Sequence, residues 1–388
     1  MKPKILLALP TPPPFSGQEK IASIILKSKI IDVFECFHVD TSNHQKSNKD
    51  RGHLNWKNIY STLLIGWNLF KVLHRNKNIV LVNLPMACNS FGFLKYSIHL
   101  IICRLFDVKI VSRLGASHFK HFYDAQNVFY QMFIKLILKQ VACIIVRGYN
   151  QKLQFNNIYS GKIKVVYVPT NGIKQQAFNK NFVFKKKSLI NILFLGKVSQ
   201  AKGAYDLIRA IPQMITKDNR LRFHFVGDRV EKEKNVVHLK RDRLDINFFI
   251  KENGLEKYVT FHGNLEGIMK EAIMKSSDIF IFPSYSEGSP FAVVEAMEYG
   301  LPIVATKVGN LVEICSDRNN VIFVDKQSPT EITNAIFEII SNDSLASEMV
   351  KNNIELLKTK LSLNIFEQEM IKIFQDIIHS NENIRTNI

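Results

Sequence analysis

From Phe282 to Thr306 the chain reads FPSYSEGSPFAVVEAMEYGLPIVAT. The apolar runs at its two ends, Asp278–Phe282 and Pro302–Thr306, have the length and composition of buried strands. Between them lie a Pro/Ser/Gly loop and a helix-period run. Ser289 is expected as N-cap, Pro290 as the first helical residue and Gly300 as the stop. Strand, loop, helix and strand within some thirty residues is the repeating unit of a parallel α/β sheet. The loop then points free backbone N–H groups and a helix N-terminus at the carboxyl end of a strand, which suits a phosphate. Two carboxylates flank that point, Glu287 in the loop and Glu295 in the helix. Glu295 sits among Val293, Val294, Ala296 and Met297, where a charge is costly without a partner. Either a lysine in a structural contact or the paired hydroxyls of a ribose would supply one.

Outward from this stretch, short β-branched runs alternate with longer helical segments along nearly all of the 388 residues. In the first half the expected strands are Lys4–Leu9, Ile79–Leu84, Val108–Leu114, Cys143–Arg147 and Ile163–Val168. In the second half they are Ile190–Leu195, Leu221–Val226, Tyr258–His262, Asp278–Phe282, Pro302–Thr306 and Val321–Val324. The predicted domains are residues 1–170 and 189–365, joined by a linker over 171–188 that lacks periodicity. Phe366, Met370, Ile373, Phe374 and Ile377 form one stripe of a final amphipathic helix in residues 366–388, with a polar tail after Ser380.

Charge is unevenly divided. Residues 1–187 hold 28 Lys/Arg against 7 Asp/Glu, and residues 188–388 hold 24 against 27, for a net +18. The basic half is expected to meet something anionic: nucleic acid, a membrane surface or a polyprenyl-diphosphate acceptor. Two long segments there, Leu54–His74 and Phe119–Lys139, mix aromatics with lysine and read either as helices packed on a sheet or as surface that settles on a membrane. The lysines could equally be a solvated consequence of composition. Five scattered cysteines form no C-x-x-C pair, which argues against zinc or a disulfide framework and fits a reducing compartment. No cleaved signal peptide or membrane span is read, and a cytoplasmic protein, peripheral on the membrane's inner face, is expected.

At Glu287 and Glu295, seven residues apart, the chain resembles family 4 glycosyltransferases and their E-x7-E signature. Glu-Gly-x-Pro before the helix and Glu-Ala-Met-x-x-Gly-x-Pro-x-Val-Ala-Thr after it match too. The resemblance implies the GT-B fold: two Rossmann-like doubly wound α/β domains facing a central cleft, with the C-terminal helix crossing back to the first. It implies that Glu295 holds the ribose hydroxyls of a nucleotide-sugar donor and that Glu287 contacts the donor sugar beside the reacting carbon. Backbone at Gly288, Ser289, Pro290 and Phe291 would meet sugar and phosphate. After the strand Ile190–Leu195, Gly196 to Gly203 keeps the spacing of the family's Gly-Arg-x-x-x-x-Lys-Gly. The diphosphate contacts therefore carry over to Lys197 and Lys202, although lysine lacks arginine's two-pronged geometry. Pro14 to Glu19 resembles the Gly-Gly-x-Glu loop, where Ser16 replaces the first glycine and Gly17 carries over. The family's His-Gly after a first-domain strand is Leu114-Gly115 here, which leaves His118 as the candidate replacement.

The expected function is a retaining glycosyltransferase, moving a sugar to a saccharide or lipid-linked acceptor in bacterial surface polysaccharide or lipopolysaccharide assembly. No Asp-x-Asp metal clamp occurs, so the resemblance implies transfer without a metal or other cofactor. A non-hydrolysing sugar-nucleotide epimerase is the alternative enzyme. A basic nucleic-acid-binding protein is the alternative of another class, but no recognition motif supports one and no nucleic-acid partner is expected.

Overall fold

The computed structural model describes residues 2–12, 17–42, 56–230 and 244–380. Pro14, Phe15 and Ser16 of the glycine loop, and the tail after Ser380, lie outside the described residues. The chain divides into two compact units, Met1–Val168 with Asn364–Ile388, and Pro169–Leu363.

The first unit carries a parallel sheet of β1 (Lys4–Leu9), β2 (Glu35–Asp40), β3 (Ile79–Met86), β4 (Lys109–Leu114), β5 (Cys143–Val146) and β6 (Lys162–Val165). Their order is β2-β1-β3-β4-β5-β6. Ile5 to Leu9 are all fully buried, as a strand covered on both faces requires. The strand Glu35–Asp40 is not legible in the sequence. Among the described residues it pairs only with β1, at the sheet's edge, and it is mostly half-buried or exposed, so its residues show no apolar run.

Of the segment Leu54–His74, Leu54 and Asn55 lie outside the described residues and the rest belongs to the helix Trp56–Arg75; Phe119–Lys139 becomes two helices, Phe119–Asp124 and Val128–Leu138. The break lies at Asn127, whose side chain accepts a hydrogen bond from Tyr130 N–H at 2.9 Å and caps the second helix. None of the described helices is long and apolar enough to cross a membrane.

The helix Leu363–His379 joins the first unit through the stripe seen in the sequence: Phe366, Met370, Ile373, Phe374 and Ile377 are all buried. Phe374 meets Phe34 edge-on at 6.0 Å. Lys109 Nζ donates to the carbonyls of Ile377, Ile378 and Ser380 at 2.9, 3.1 and 2.6 Å, a cation placed at the negative end of the helix.

The second unit's sheet consists of β7 (Ile190–Leu195), β8 (Leu221–Val226), β9 (Val259–Gly263), β10 (Ile279–Phe282), β11 (Ile303–Thr306) and β12 (Ile322–Val324). All pairings are parallel, in the order β12-β11-β10-β7-β8-β9. The stretch expected as a linker is not free chain. Phe182 and Phe184, eight and six positions before β7, lie in this unit's core, where they reach the apolar surface that the sheet leaves open.

Candidate functional site

Chain order reverses between the neighbouring strands β7 and β10, and the loops after them meet at the carboxyl ends. In open α/β sheets this is where ligands bind. The loop after β7 ends at Gly203, which precedes the helix Ala204–Lys217 with φ +68°. A Cβ at Gly203 would fall 1.9 Å from the carbonyl oxygen of Pro283, so only glycine permits the two loops to touch. Tyr285 N–H donates to the carbonyl of Ala201 at 3.0 Å, and the Thr306 hydroxyl donates to the carbonyl of Ser284.

These contacts bring Lys202 to Glu287. Its Nζ donates to Glu287 Oε1 at 2.5 Å, and Ser284 Oγ donates to the same oxygen at 2.9 Å. Lys197, one residue past Gly196, is exposed. The helix that follows spans Phe291–Glu298, one residue later than expected. Pro290, not Ser289, is the N-cap, since its ψ of 98° is extended, and Phe291 is the first helical residue. Gly300 does end the helix. At φ +64° its N–H donates to Met297 O at 3.0 Å, and Leu301 N–H donates to Ala296 O at 3.1 Å, the pair of bonds that closes a helix on a left-handed residue.

Glu295 faces inward from this helix, 9% exposed, and accepts from Lys270 Nζ at 2.7 Å. The lysine contact that the sequence left as one alternative is therefore present. One turn on, Glu298 is more deeply buried, and desolvation lifts its carboxyl to about 7 although the Thr170 hydroxyl and Asn171 N–H donate to Oε1 at 2.7 and 2.5 Å. Gly288 adds a backbone contact, its carbonyl accepting from Asn310 N–H at 3.3 Å.

The structure thus gathers Lys202, Glu287, Gly288, Ser289, Pro290, Phe291 and Glu295 on adjoining loops and one helix of the second unit, with Lys197 on the first of those loops. Gly17 and His118 belong to the first unit. Gly17 opens the helix Gly17–Leu26. His118 is exposed just ahead of Phe119–Asp124, beyond a fully buried Leu114. Sequence reasoning missed Lys270 and Ser284. Lys270 lies 25 residues before Glu295 in the unremarkable run IMKEAIMK, and only the fold pairs them.

In chemical terms, two carboxylates, each with a lysine on it, stand beside the N-terminus of the helix Phe291–Glu298. Such a set accepts hydroxyl donors and binds a phosphate.

Residues 190–342 match the family model described as Glycosyl transferases group 1. An uncharacterized glycosyltransferase of Methanocaldococcus jannaschii is 27% identical over 231 residues, 56% of this chain and 55% of that one. An uncharacterized 41.2 kDa protein in the cps region of Klebsiella pneumoniae is 29% identical over 248 residues, 58% of this chain and 63% of that one. The chain thus spans less than two thirds of either relative. Among solved structures, Anabaena HepE in complex with UDP-glucose superposes with a TM-score of 0.65 at 17% identity, covering 96% of this chain and 99% of that one. Two parallel-sheet Rossmann-like units in this order are the GT-B fold, and the stretch of the second that matches the group 1 glycosyltransferase model, residues 190–342, holds the order reversal between β7 and β10.

Proposed function

We propose that the protein is a glycosyltransferase that moves a sugar, with retention of configuration, from a nucleoside-diphosphate sugar to a saccharide or polyprenyl-diphosphate-linked acceptor. The observation that carries this reading is the joining of Lys202 to Glu287 at the strand-order reversal, with Glu295 on the helix that starts there. Glu295, oriented by Lys270, accepts the ribose hydroxyls. Lys197 and Lys202 take the charge that grows on the departing diphosphate, without a divalent ion. Glu287 stands beside the anomeric carbon. The acceptor oxygen bonds to that carbon on the face the diphosphate leaves, the carbon–oxygen bond to phosphate breaks, and the acceptor proton passes to the leaving phosphate oxygen. The UDP-glucose held by the Anabaena neighbour supports a donor of that class. The relative from a cps region supports a place in surface polysaccharide assembly.

A bilayer is the second partner in this reading. The helices Trp56–Arg75, Ser90–Arg104 and Val128–Leu138 lie side by side on the first unit and contain no acidic residue. They expose Trp56 (85%), Tyr60, Trp67, Ile101, Phe129 (84%) and Met132 beside Lys71, Lys95 and Lys135. Aromatics and lysine stems on one basic face suit the headgroup region of an anionic membrane.

Calorimetry with UDP-, GDP- and ADP-glucose tests the donor reading. One of the three is expected to bind, and its product released by the enzyme is expected to keep the donor's anomeric configuration by NMR. Binding and transfer should survive EDTA. Inversion, or inactivation by EDTA reversed by magnesium, would replace this mechanism.

A further inference from the structure

The first unit buries positive charge where a folded core ordinarily holds none. Pro85 of β3 pairs with Arg113 of β4, and Arg113 pairs with Ile145 of β5. Residues two apart along a strand point to one side. Asn83, Arg113 and Arg147, one residue past β5, therefore make a diagonal row across three neighbouring strands, toward their carboxyl ends. The alternate residues Leu84, Leu114 and Val146 feed the apolar core on the opposite face.

Asn83 is fully buried, and neither Oδ1 nor Nδ2 has a hydrogen-bond partner. Arg113 is 6% exposed, and its buried Nη1 also lacks one. Arg147, 7% exposed, stands close enough that its charge adds to burial in drawing the Arg113 guanidinium down to about 9. Burial likewise draws Arg147 to about 10. The helix Gly17–Leu26 begins at this end of the sheet: a Cβ on Gly115, just past β4, would come 2.7 Å from Gln18 Nε2. Glu19, buried in that first turn, is an acid of the neighbourhood.

A buried guanidinium with an unfilled donor and a like charge beside it, next to an unsatisfied amide, weakens a fold. Native structures keep such groups where something else completes their hydrogen bonds. The row offers the planar fork of Arg113 and the amide of Asn83, both with unfilled hydrogen-bonding atoms, and the second positive charge of Arg147 alongside, a set that matches the several oxygens and double charge of a phosphoryl group. We infer that the carboxyl ends of β3, β4 and β5 form an anion site in which Arg113 and Arg147 hold a phosphoryl group of the acceptor and Asn83 donates to one of its oxygens. Assignment to the acceptor rests on the transfer reading above; the anion site does not. The donor's diphosphate has its own cations, Lys197 and Lys202, in the second unit.

The test uses inorganic phosphate and phenyl phosphate as probes, with chloride at matched ionic strength as control. Both phosphates are expected to raise the melting temperature of the full chain above that in chloride. Arg113→Met, which removes an unsatisfied buried charge, is expected to melt higher than the parent without ligand and to bind phosphate at least tenfold more weakly. Its affinity for the donor nucleotide should stay within twofold. A lower melting temperature together with an unchanged phosphate response would make Arg113 structural and overturn the site. Should Arg113→Met not fold, Arg113→Lys decides, because it keeps charge but loses the fork: at least fivefold weaker phosphate binding is expected, and unchanged binding overturns the proposal. Equal losses of phosphate and UDP affinity would assign the anion to the donor and overturn the acceptor. Absence of any nucleotide binding in the parent would end the transfer reading while leaving the phosphate result standing.

Discussion

At the scale of single residues, the two signature carboxylates are held by different partners and should fail differently. If Glu295 holds the ribose as proposed, Glu295→Gln removes that charged acceptor and leaves Lys270 without its anion, so nucleotide affinity should fall by roughly tenfold or more. Glu287→Gln, under the proposed place of Glu287 beside the reacting carbon, should lower turnover far more than binding. Calorimetry and initial rates separate the two, and undiminished affinity in Glu295→Gln would remove its ribose role. Glu298 makes a second prediction. Its folded carboxyl, lifted to about 7 from an ordinary 4.5, keeps a proton that the unfolded chain has released. Stability is therefore unaffected by this group below about pH 4.5, falls as pH rises toward 7, and levels off above, the loss reaching up to about 3 kcal/mol. Glu298→Gln keeps the oxygen that accepts from Thr170 and Asn171 and removes the titration. Urea midpoints should show it more stable than the parent at pH 8 and equal at pH 4; a parent more stable at pH 8 would contradict the shift.

Among the elements, the contact between the loops after β7 and β10 decides whether there is a site at all. Gly203 combines a left-handed φ with a carbonyl where its Cβ would lie. Gly203→Ala must push the two loops apart, and it should cost about 2–4 kcal/mol in urea unfolding. Nucleotide affinity should fall as well, since Lys202 leaves Glu287. An unchanged midpoint would show that the loops do not depend on this approach. The helix Phe291–Glu298 shows how far local rules reach. Its glycine stop was legible because Gly300 alone can take the left-handed turn there. Its start was misplaced by one residue because both Ser289 and Pro290 are good helix openers. Only the path of the loop, fixed by its bonds to Ala201 and Asn310, chooses between them.

On the scale of the whole molecule, the charge surplus and the apolar face of the first unit make one prediction together. Each lysine near an anionic surface contributes about 1 kcal/mol, screened within a Debye length, and the exposed aromatics add interfacial contact. The purified protein should co-sediment with vesicles containing anionic lipid, poorly with neutral ones, and less as salt rises. Equal and negligible sedimentation with both at low salt would remove the membrane from the proposal. The sequence by itself determined the alternation of strands and helices, the two sheets, the stripe of the last helix and the positions of Glu287, Glu295 and Lys202, because periodicity, glycine stops and motif spacing are local properties of the chain. It did not reveal β2, whose exposed edge position removes the apolar pattern. Nor did it show that residues 169–188 pack into the second unit. The partners of the site residues were beyond it too: Lys270 meets Glu295 across 25 positions and Lys202 meets Glu287 across 85. Asn83, Arg113 and Arg147 look like ordinary polar residues of three separate segments, and only parallel strand pairing lines them up on one face. Burial, and with it the electrostatic cost that marks a site, depends on which distant segments cover a residue, and tertiary structure alone decides that.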